Sequence, residues 1–209
     1  IMQMVQSRAG LNFSNQDRVA DIACRGPVTP DHVLRTKRIP MVGRDVTAYG
    51  EEYSKYFEQY SPNATEAKTI LDPAPRVVLD KSLGLCAVGK SVKDADIVAD
   101  LYEHTMVCIE RAESLGGWRT LPESDIFNLE YWDLEQAKLK KSSATPQFQG
   151  EVALVTGAAS GIGRACVTSF IARGAVVIGL DIDSSIVDLY PNSQSSFLGV
   201  ECDIADEDA

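Results

Sequence analysis

The sequence predicts an α/β chain in two parts, and three observations carry that prediction. A short apolar run, a glycine-rich turn, an amphipathic stretch and a second apolar run follow one another between Val152 and Asp181, the pattern of a βαβ unit. Further upstream, Arg76 to Gly117 places two β-rich runs ahead of a long stretch with helical periodicity. Between these regions lies KKSSATPQFQG, Lys140 to Gly150, which has lysines, small polar residues and a proline but no hydrophobic period. Such a stretch reads as an exposed linker. The expected parts are therefore 1–139 and 150–209, joined by a linker over 140–149.

In the first part the elements are justified in order. A helix is expected over Glu51 to Tyr60, with Tyr53, Tyr56, Phe57 and Tyr60 on one face. That aromatic stripe could stack on a sugar, but packing against a core is the commoner use. RVVLD and LGLCAV read as two strands separated by a turn around Lys81 and Ser82. Ser91 followed by Asp94 fits a helix N-cap with an acidic residue at the third position. From there Val98, Leu101, Tyr102, Thr105, Ile109 and Ala112 give one apolar face to about Leu115, and Gly116-Gly117 ends the helix. Tyr131 to Lys141 is a third candidate helix. The mixture is α/β or α+β.

In the second part Val152 to Val155 suits a buried parallel strand. Gly157, Gly161 and Gly163 form the turn, and a helix runs from about Ile162 to Arg173 with Ile162, Cys166 and Phe170 on its buried face. Gly174 stops it, and Ala175 to Leu180 is a second strand ending on Asp181. These are the parts of a dinucleotide-binding Rossmann unit. The glycines let a pyrophosphate approach the backbone, and the helix N-terminus offers it free N–H groups. Asp181, eighteen residues after Gly163, is placed to accept from the ribose hydroxyls and to repel the extra phosphate of NADP, which favours NAD.

The segment Thr156-Gly157-Ala158-Ala159-Ser160-Gly161-Ile162-Gly163 resembles the TGxxxGIG turn of the short-chain dehydrogenase/reductase family. The resemblance implies that Ser160 and Ile162 line the phosphate turn. FLGVECD, Phe197 to Asp203, resembles that family's third strand, which implies that Asp203 and Ile204 hold the adenine edge. An equal alternative for Asp203 is an N-cap for a helix over Ala205 to Asp208. The family's tyrosine and lysine, four residues apart, are expected beyond Ala209, so no catalytic residue is assigned. The opening Ile1 and the closing DIADEDA read as the ends of a fragment, inactive on its own, with marginal order expected after Gly150.

GPVTPDHVLRTKRIP, DPAPRVVLDKSLGLCAVGKSVKDADIVADLYEHT and YWDLEQAKL resemble the C-terminal part of the class II aldolase/adducin family. The order of this domain, a linker and a dehydrogenase resembles fusion proteins of the rhamnulose-phosphate aldolase type. The resemblance implies a bifunctional sugar-metabolism enzyme in which an NAD-dependent dehydrogenase acts on an aldehyde, alcohol or sugar such as lactaldehyde. It also implies zinc held by three histidines in the full aldolase-like domain, and a homo-oligomer. The expected His-Gly pair on the second strand is Leu83-Gly84 here, and the upstream HxH segment has no counterpart. His32 is the candidate replacement ligand, and His104 is expected to pack. Arg35, Lys37 and Arg38 form a basic cluster that could meet a sugar phosphate or simply be solvated. The alternative is a non-catalytic, adducin-like assembly module ahead of the dehydrogenase.

Composition bounds the rest. A net charge of −10 argues against nucleic acid as a partner; no apolar run is of membrane-spanning length, and the first residues, IMQMVQSRAG, do not read as a signal peptide. Five scattered cysteines without a CxxC pair fit reduced core thiols in a cytoplasmic protein.

Overall fold

A computed structural model describes residues 1–139, 145–190 and 196–206. The chain divides into two compact units. One comprises Met2–Gly89 and Asp94–Ser142, the other Lys90–Lys93 and Ser143–Ala209, with Ile1. No helix among the described residues is long and apolar enough to cross a membrane.

The first unit is built on four strands: β1 (Met2–Met4), β2 (Met41–Val42), β3 (Val77–Asp80) and β4 (Gly84–Val88). They pair in the order β1-β4-β3-β2. β3 and β4 form the expected antiparallel hairpin, with Val78 opposite Cys86 and Leu79 opposite Leu85. Its turn is held by one carboxylate, since Asp80 Oδ1 accepts from the N–H groups of Ser82 (2.8 Å) and Leu83 (2.9 Å). Arg44 adds a two-pronged contact from the β2 side, at 2.6 and 3.0 Å.

These donors hold the Asp80 carboxyl far below the ordinary carboxylate range, the Arg44 hydrogen bond first among them. A carboxyl with a depressed folded-state pKa stabilises above its unfolded value, about 3.8, and that contribution is lost as pH falls toward the folded value. Asp80→Asn is thus expected to flatten the loss of stability in strong acid. Urea midpoints for both chains at neutral pH and below the ordinary carboxylate range would check it; parallel acid losses would count against it.

Helix α1 spans Arg8–Ser14, α2 Val19–Ala23, α3 Val33–Thr36, α4 Val46–Tyr60 and α5 Val92–Ser114. α5 begins where an N-cap at Ser91 requires. Its buried face, with Val98, Tyr102, Met106 and Ile109, packs in one cluster with Val77, Leu79, Leu85 and Ala87. The predicted face is therefore the core face, with burial of each such side chain stabilising by about 1.5–3 kcal/mol. Both glycines after the helix have positive φ, and the Gly117 N–H returns to the Ala112 carbonyl. α4 starts five residues before the expected Glu51, because Asp45 Oδ1 caps the Ala48 N–H at 2.9 Å.

Two further helices, α6 (Glu123–Glu130) and α7 (Asp133–Leu139), complete the unit. The expected helix over Tyr131 to Lys141 is thus realised as α7 only; residues 140 and 141 lie outside the described residues. The aromatic stripe of α4 packs, as the commoner use predicts. Tyr53 and Tyr56 are buried with Phe127 and Tyr131, the latter two rings stacked at 4.4 Å.

The second unit holds three parallel strands, β5 (Val152–Thr156), β6 (Val176–Asp181) and β7 (Phe197–Glu201), in the order β5-β6-β7. Helix α8 (Gly161–Ala172) joins β5 to β6. Val167, Ala175, Val177, Ile186 and Phe197 form the core on one side of the sheet. β5 departs from the fully buried strand expected. Its side chains alternate, with Ala153 and Val155 against the core while Val152 and Leu154 are 58% and 63% exposed. Apolar content alone cannot report which faces are covered. Between β6 and β7 the described residues form a short 3-10 helix, Ser184–Asp188, instead of a full helix. Asp183 Oδ1 accepts from the Ser185 N–H and caps its start.

Candidate nucleotide-binding site

The site stands at the carboxyl end of β5 and β6. β5 ends at Thr156, and Gly157 turns the chain with φ +63°. The Ala158 N–H then binds the Leu180 carbonyl of β6 at 3.2 Å, which ties the turn to the neighbouring strand. Gly161 is also left-handed, at φ +51°, and a side chain at either of these glycines would project into open space. Gly163 differs. A Cβ there would sit 2.0 Å from the Gly157 carbonyl oxygen, so the helix and the turn touch backbone to backbone. The three glycines therefore do two jobs: two leave an open approach to the turn, and one brings the helix against it.

Ser160 is the N-cap of α8, with extended backbone at φ −146° and ψ 172°. Its side chain makes no capping hydrogen bond, and the first helical bond runs from the Arg164 N–H to the Ser160 carbonyl. The N–H groups of the first turn have no partner inside the helix and face outward with its positive dipole end. Ile162, predicted to lie on the buried face, is 85% exposed. The first turn of α8 lies beyond the sheet end, so packing starts a turn later, with Val167 buried and Phe170 and Ile171 against the core. Cys166 is half-buried.

Asp181 closes β6. Its Oδ2 accepts from the Ala159 N–H of the glycine turn at 2.8 Å, and its Oδ1 accepts from the Asp183 N–H at 3.0 Å. These backbone donors, Asp183 first and then Ala159, pull the carboxyl below its ordinary value, so it is ionised at neutral pH. A single side chain thus joins the strand end to the glycine turn. Asp203 follows β7, where the Cys202 N–H binds the Asp181 carbonyl at 2.8 Å. Its Oδ1 accepts from the Ala205 N–H at 3.0 Å, the turn-initiating bond of the capping alternative. The helix expected to follow runs into residues 207–208, outside the described residues. Ile204 is exposed beside it.

The comparisons with known proteins fit this arrangement. The family model for the second domain of class II aldolases matches residues 1–139, and the short chain dehydrogenase model matches 151–209. The chain belongs to the class II aldolase family. It carries the aldolase class II second domain followed by a short-chain dehydrogenase domain. It is 30% identical over 190 residues to "Uncharacterized oxidoreductase YuxG" of Bacillus subtilis (strain 168), a match covering 83% of this chain and 27% of the relative. Over 60 residues it is 48% identical to "Uncharacterized short-chain type dehydrogenase/reductase y4vI" of Sinorhizobium fredii (strain NBRC 101917 / NGR234). That match covers 28% of the chain and 11% of the relative. The chain therefore spans about a quarter or less of the curated relatives it matches.

In the aldolase class II domain the structure changes the expected roles of several residues. His32 ends a 3-10 turn over Pro30–His32 and is half-buried, with its Nδ1 buried and unpartnered. Burial, and then repulsion from His104, lower its pKa. No group of three or more histidine, cysteine, aspartate or glutamate side chains among the described residues is arranged to hold a metal. The described residues do not fit the three-histidine zinc centre, and His32 joins no three-donor group among them. His104 does not pack in the core as expected. It is exposed on α5, with Nε2 3.5 Å from the Cys108 sulfur.

Each member of the basic cluster is paired with a carboxylate, and only Arg35 stays more than a third exposed. Arg35 pairs with Asp94 at 3.3 Å, and Arg38 with Glu123 at 2.9 Å and Glu52 at 3.6 Å. Lys37 is buried, its ammonium 3.8 Å from the centre of the Tyr53 ring and 3.5 Å from Glu130 Oε1. Glu130 is wholly buried, and its Oε2 has no partner among the described residues. Burial pushes Lys37 down to about 8 and pushes Glu130 up. The network continues in one direction. The Leu71 N–H binds the Tyr131 hydroxyl at 3.3 Å, the two tyrosine hydroxyls meet at 2.8 Å, and Tyr53 donates to Glu130 at 2.8 Å. Because Tyr53 gives its only proton to Glu130, Tyr131 is the donor between the tyrosines. The five cysteines are free; Cys86 is buried and the other four are half-buried, so the expected core thiols are only one of five.

Proposed function

We propose that the chain is part of an NAD-dependent short-chain dehydrogenase, joined to a class II sugar-phosphate aldolase-like domain, that interconverts a small aldehyde, alcohol or sugar such as lactaldehyde. The observation that carries this reading is Asp181, ionised and fixed between the end of β6 and the phosphate turn. Each of its oxygens already accepts one backbone N–H and keeps a lone pair for a ribose hydroxyl. A phosphate on that ribose would meet a fixed negative charge. The contact of Gly163 with Gly157 and the open space at Gly157 and Gly161 fit a pyrophosphate laid across the turn.

When bound, the nicotinamide cofactor supplies the hydride acceptor. This chain's own residues supply position. Ser160 and the first-turn amides of α8 hold the phosphates, Asp181 selects the ribose, and Asp203 with Ile204 borders the adenine. The substrate class rests on the family order of the two domains and on the oxidoreductase names of the relatives. The free thiols support a cytoplasmic setting.

Titration of the full-length protein with NADH and NADPH, followed by nicotinamide fluorescence, tests the reading. NADH is expected to bind more tightly than NADPH. Asp181→Ala should weaken NADH by roughly tenfold to a hundredfold, the worth of hydrogen bonds to a charged group, and should weaken NADPH less. Equal affinity for the two nucleotides in the unsubstituted protein would refute NAD selection, and no binding of either would refute the nucleotide site.

A further inference from the structure

The pair of His104 and Cys108 on α5 belongs neither to the nucleotide site nor to the aldolase family's zinc centre. The two residues are four apart on a regular helix, with His104 exposed and Cys108 half-buried. Neighbours at this spacing stand on one helix face with their Cβ atoms about 5–6 Å apart. His104 Nε2 and Cys108 Sγ are 3.5 Å apart. A nitrogen at about 2.05 Å and a sulfur at about 2.3 Å from one zinc-class ion, separated by the tetrahedral angle, stand about 3.5 Å apart. The two donor atoms already hold the bite distance of a tetrahedral metal.

From this geometry we infer that His104 and Cys108 form a two-residue clip for a thiophilic divalent cation of the zinc class. The imidazole binds through Nε2 and the thiol as thiolate, so binding forms one metal–nitrogen and one metal–sulfur bond and releases the thiol proton to solvent. Water fills the remaining positions. Asp100 lies one turn before His104 on the same face and adds negative charge to the approach. A count of two protein ligands leaves the other positions to solvent. It makes the site an open one, able to exchange its ion or to accept further ligands, and unlike a closed structural zinc centre.

Cobalt(II) chloride reports on this site directly, because a cobalt–thiolate bond gives a charge-transfer band in the near ultraviolet. The protein is expected to develop that band at neutral pH with one cobalt per chain and to lose it on addition of zinc. Cys108→Ser should abolish it, and His104→Gln should weaken cobalt binding more than about tenfold. Cys24→Ser, Cys166→Ser and Cys202→Ser should leave it unchanged. Circular dichroism of both clip variants should match the parent, since neither side chain is in the core. No thiolate band, a band that survives Cys108→Ser, or unchanged affinity in His104→Gln would each overturn the inference.

Discussion

Glu130→Ala is expected to destabilise the aldolase class II domain by about 3–5 kcal/mol, the cost of breaking a buried pair from one side. The carboxylate is fully buried and serves Tyr53 and Lys37 at once. Its removal leaves an ammonium among aromatic rings and a tyrosine hydroxyl without its acceptor. It also opens a cavity beside the stacked Phe127 and Tyr131. Urea unfolding followed by tyrosine fluorescence measures the loss. The companion variant Lys37→Met separates charge from packing. If the pair matters as a pair, Glu130→Ala combined with Lys37→Met loses less than the sum of the two single changes, by about 0.5–3 kcal/mol. A loss under 1 kcal/mol in the single variant would show that the network is incidental.

Gly163→Val is expected to abolish measurable nucleotide binding, with a drop in NADH affinity of at least about a hundredfold, or about 2.7 kcal/mol. The cause is geometric. Even the first carbon of a side chain at residue 163 would lie 2.0 Å from the Gly157 carbonyl oxygen. The obstruction is backbone and cannot rotate away, so helix and turn must separate. Separation moves the first-turn amides away from the Ala159–Asp181 contact that fixes the Asp181 carboxylate. Fluorescence titration with NADH gives the affinity. Amide hydrogen exchange over β5 and β6 shows whether the sheet survives. Affinity within a few-fold of the parent would mean that this contact does not shape the phosphate turn.

Much of the architecture was legible because it rests on local signals. The β3–β4 hairpin and α5 are written in alternation, capping and a 3.6-residue period, each of which acts within one element. The glycine turn was legible because a strand-to-helix turn this tight needs glycine at fixed positions, two with positive φ and one in backbone contact. Ile162 was misread by the same periodicity. The period places it on the apolar face, but nothing local says that the first helical turn overhangs the sheet. Val152 and Leu154 were misread for a related reason, since which face of a strand is covered is a property of the layers.

The buried network could not be read at all. Lys37 and Glu130 lie 93 residues apart, and a lysine between two arginines carries the signature of a solvated patch. His104 was missed as a partner for Cys108 because mid-helix histidines near an apolar face usually pack. Their spacing of four was the available signal. His32, by contrast, sits in a loop setting suited to a ligand, yet belongs to no group of three or more donors among the described residues. Ligation is a property of a set, and a sequence shows only its members.

The backbone of Lys37 adds a consequence. Its φ of 65° and ψ of 173° belong to a region used almost wholly by glycine. Such a conformation costs about 1–3 kcal/mol for a residue with a side chain. The chain there is pinned on both sides, by the Lys37 N–H on Val33 and by the Thr36 hydroxyl on the His32 and Lys37 carbonyls. Main chain and side chain therefore make opposing demands at one position, the first calling for glycine and the second for an ammonium four methylenes long. Residue preferences tabulated from local conformation would rank lysine near the bottom at residue 37, although its ammonium meets Glu130 and the Tyr53 ring inside this domain.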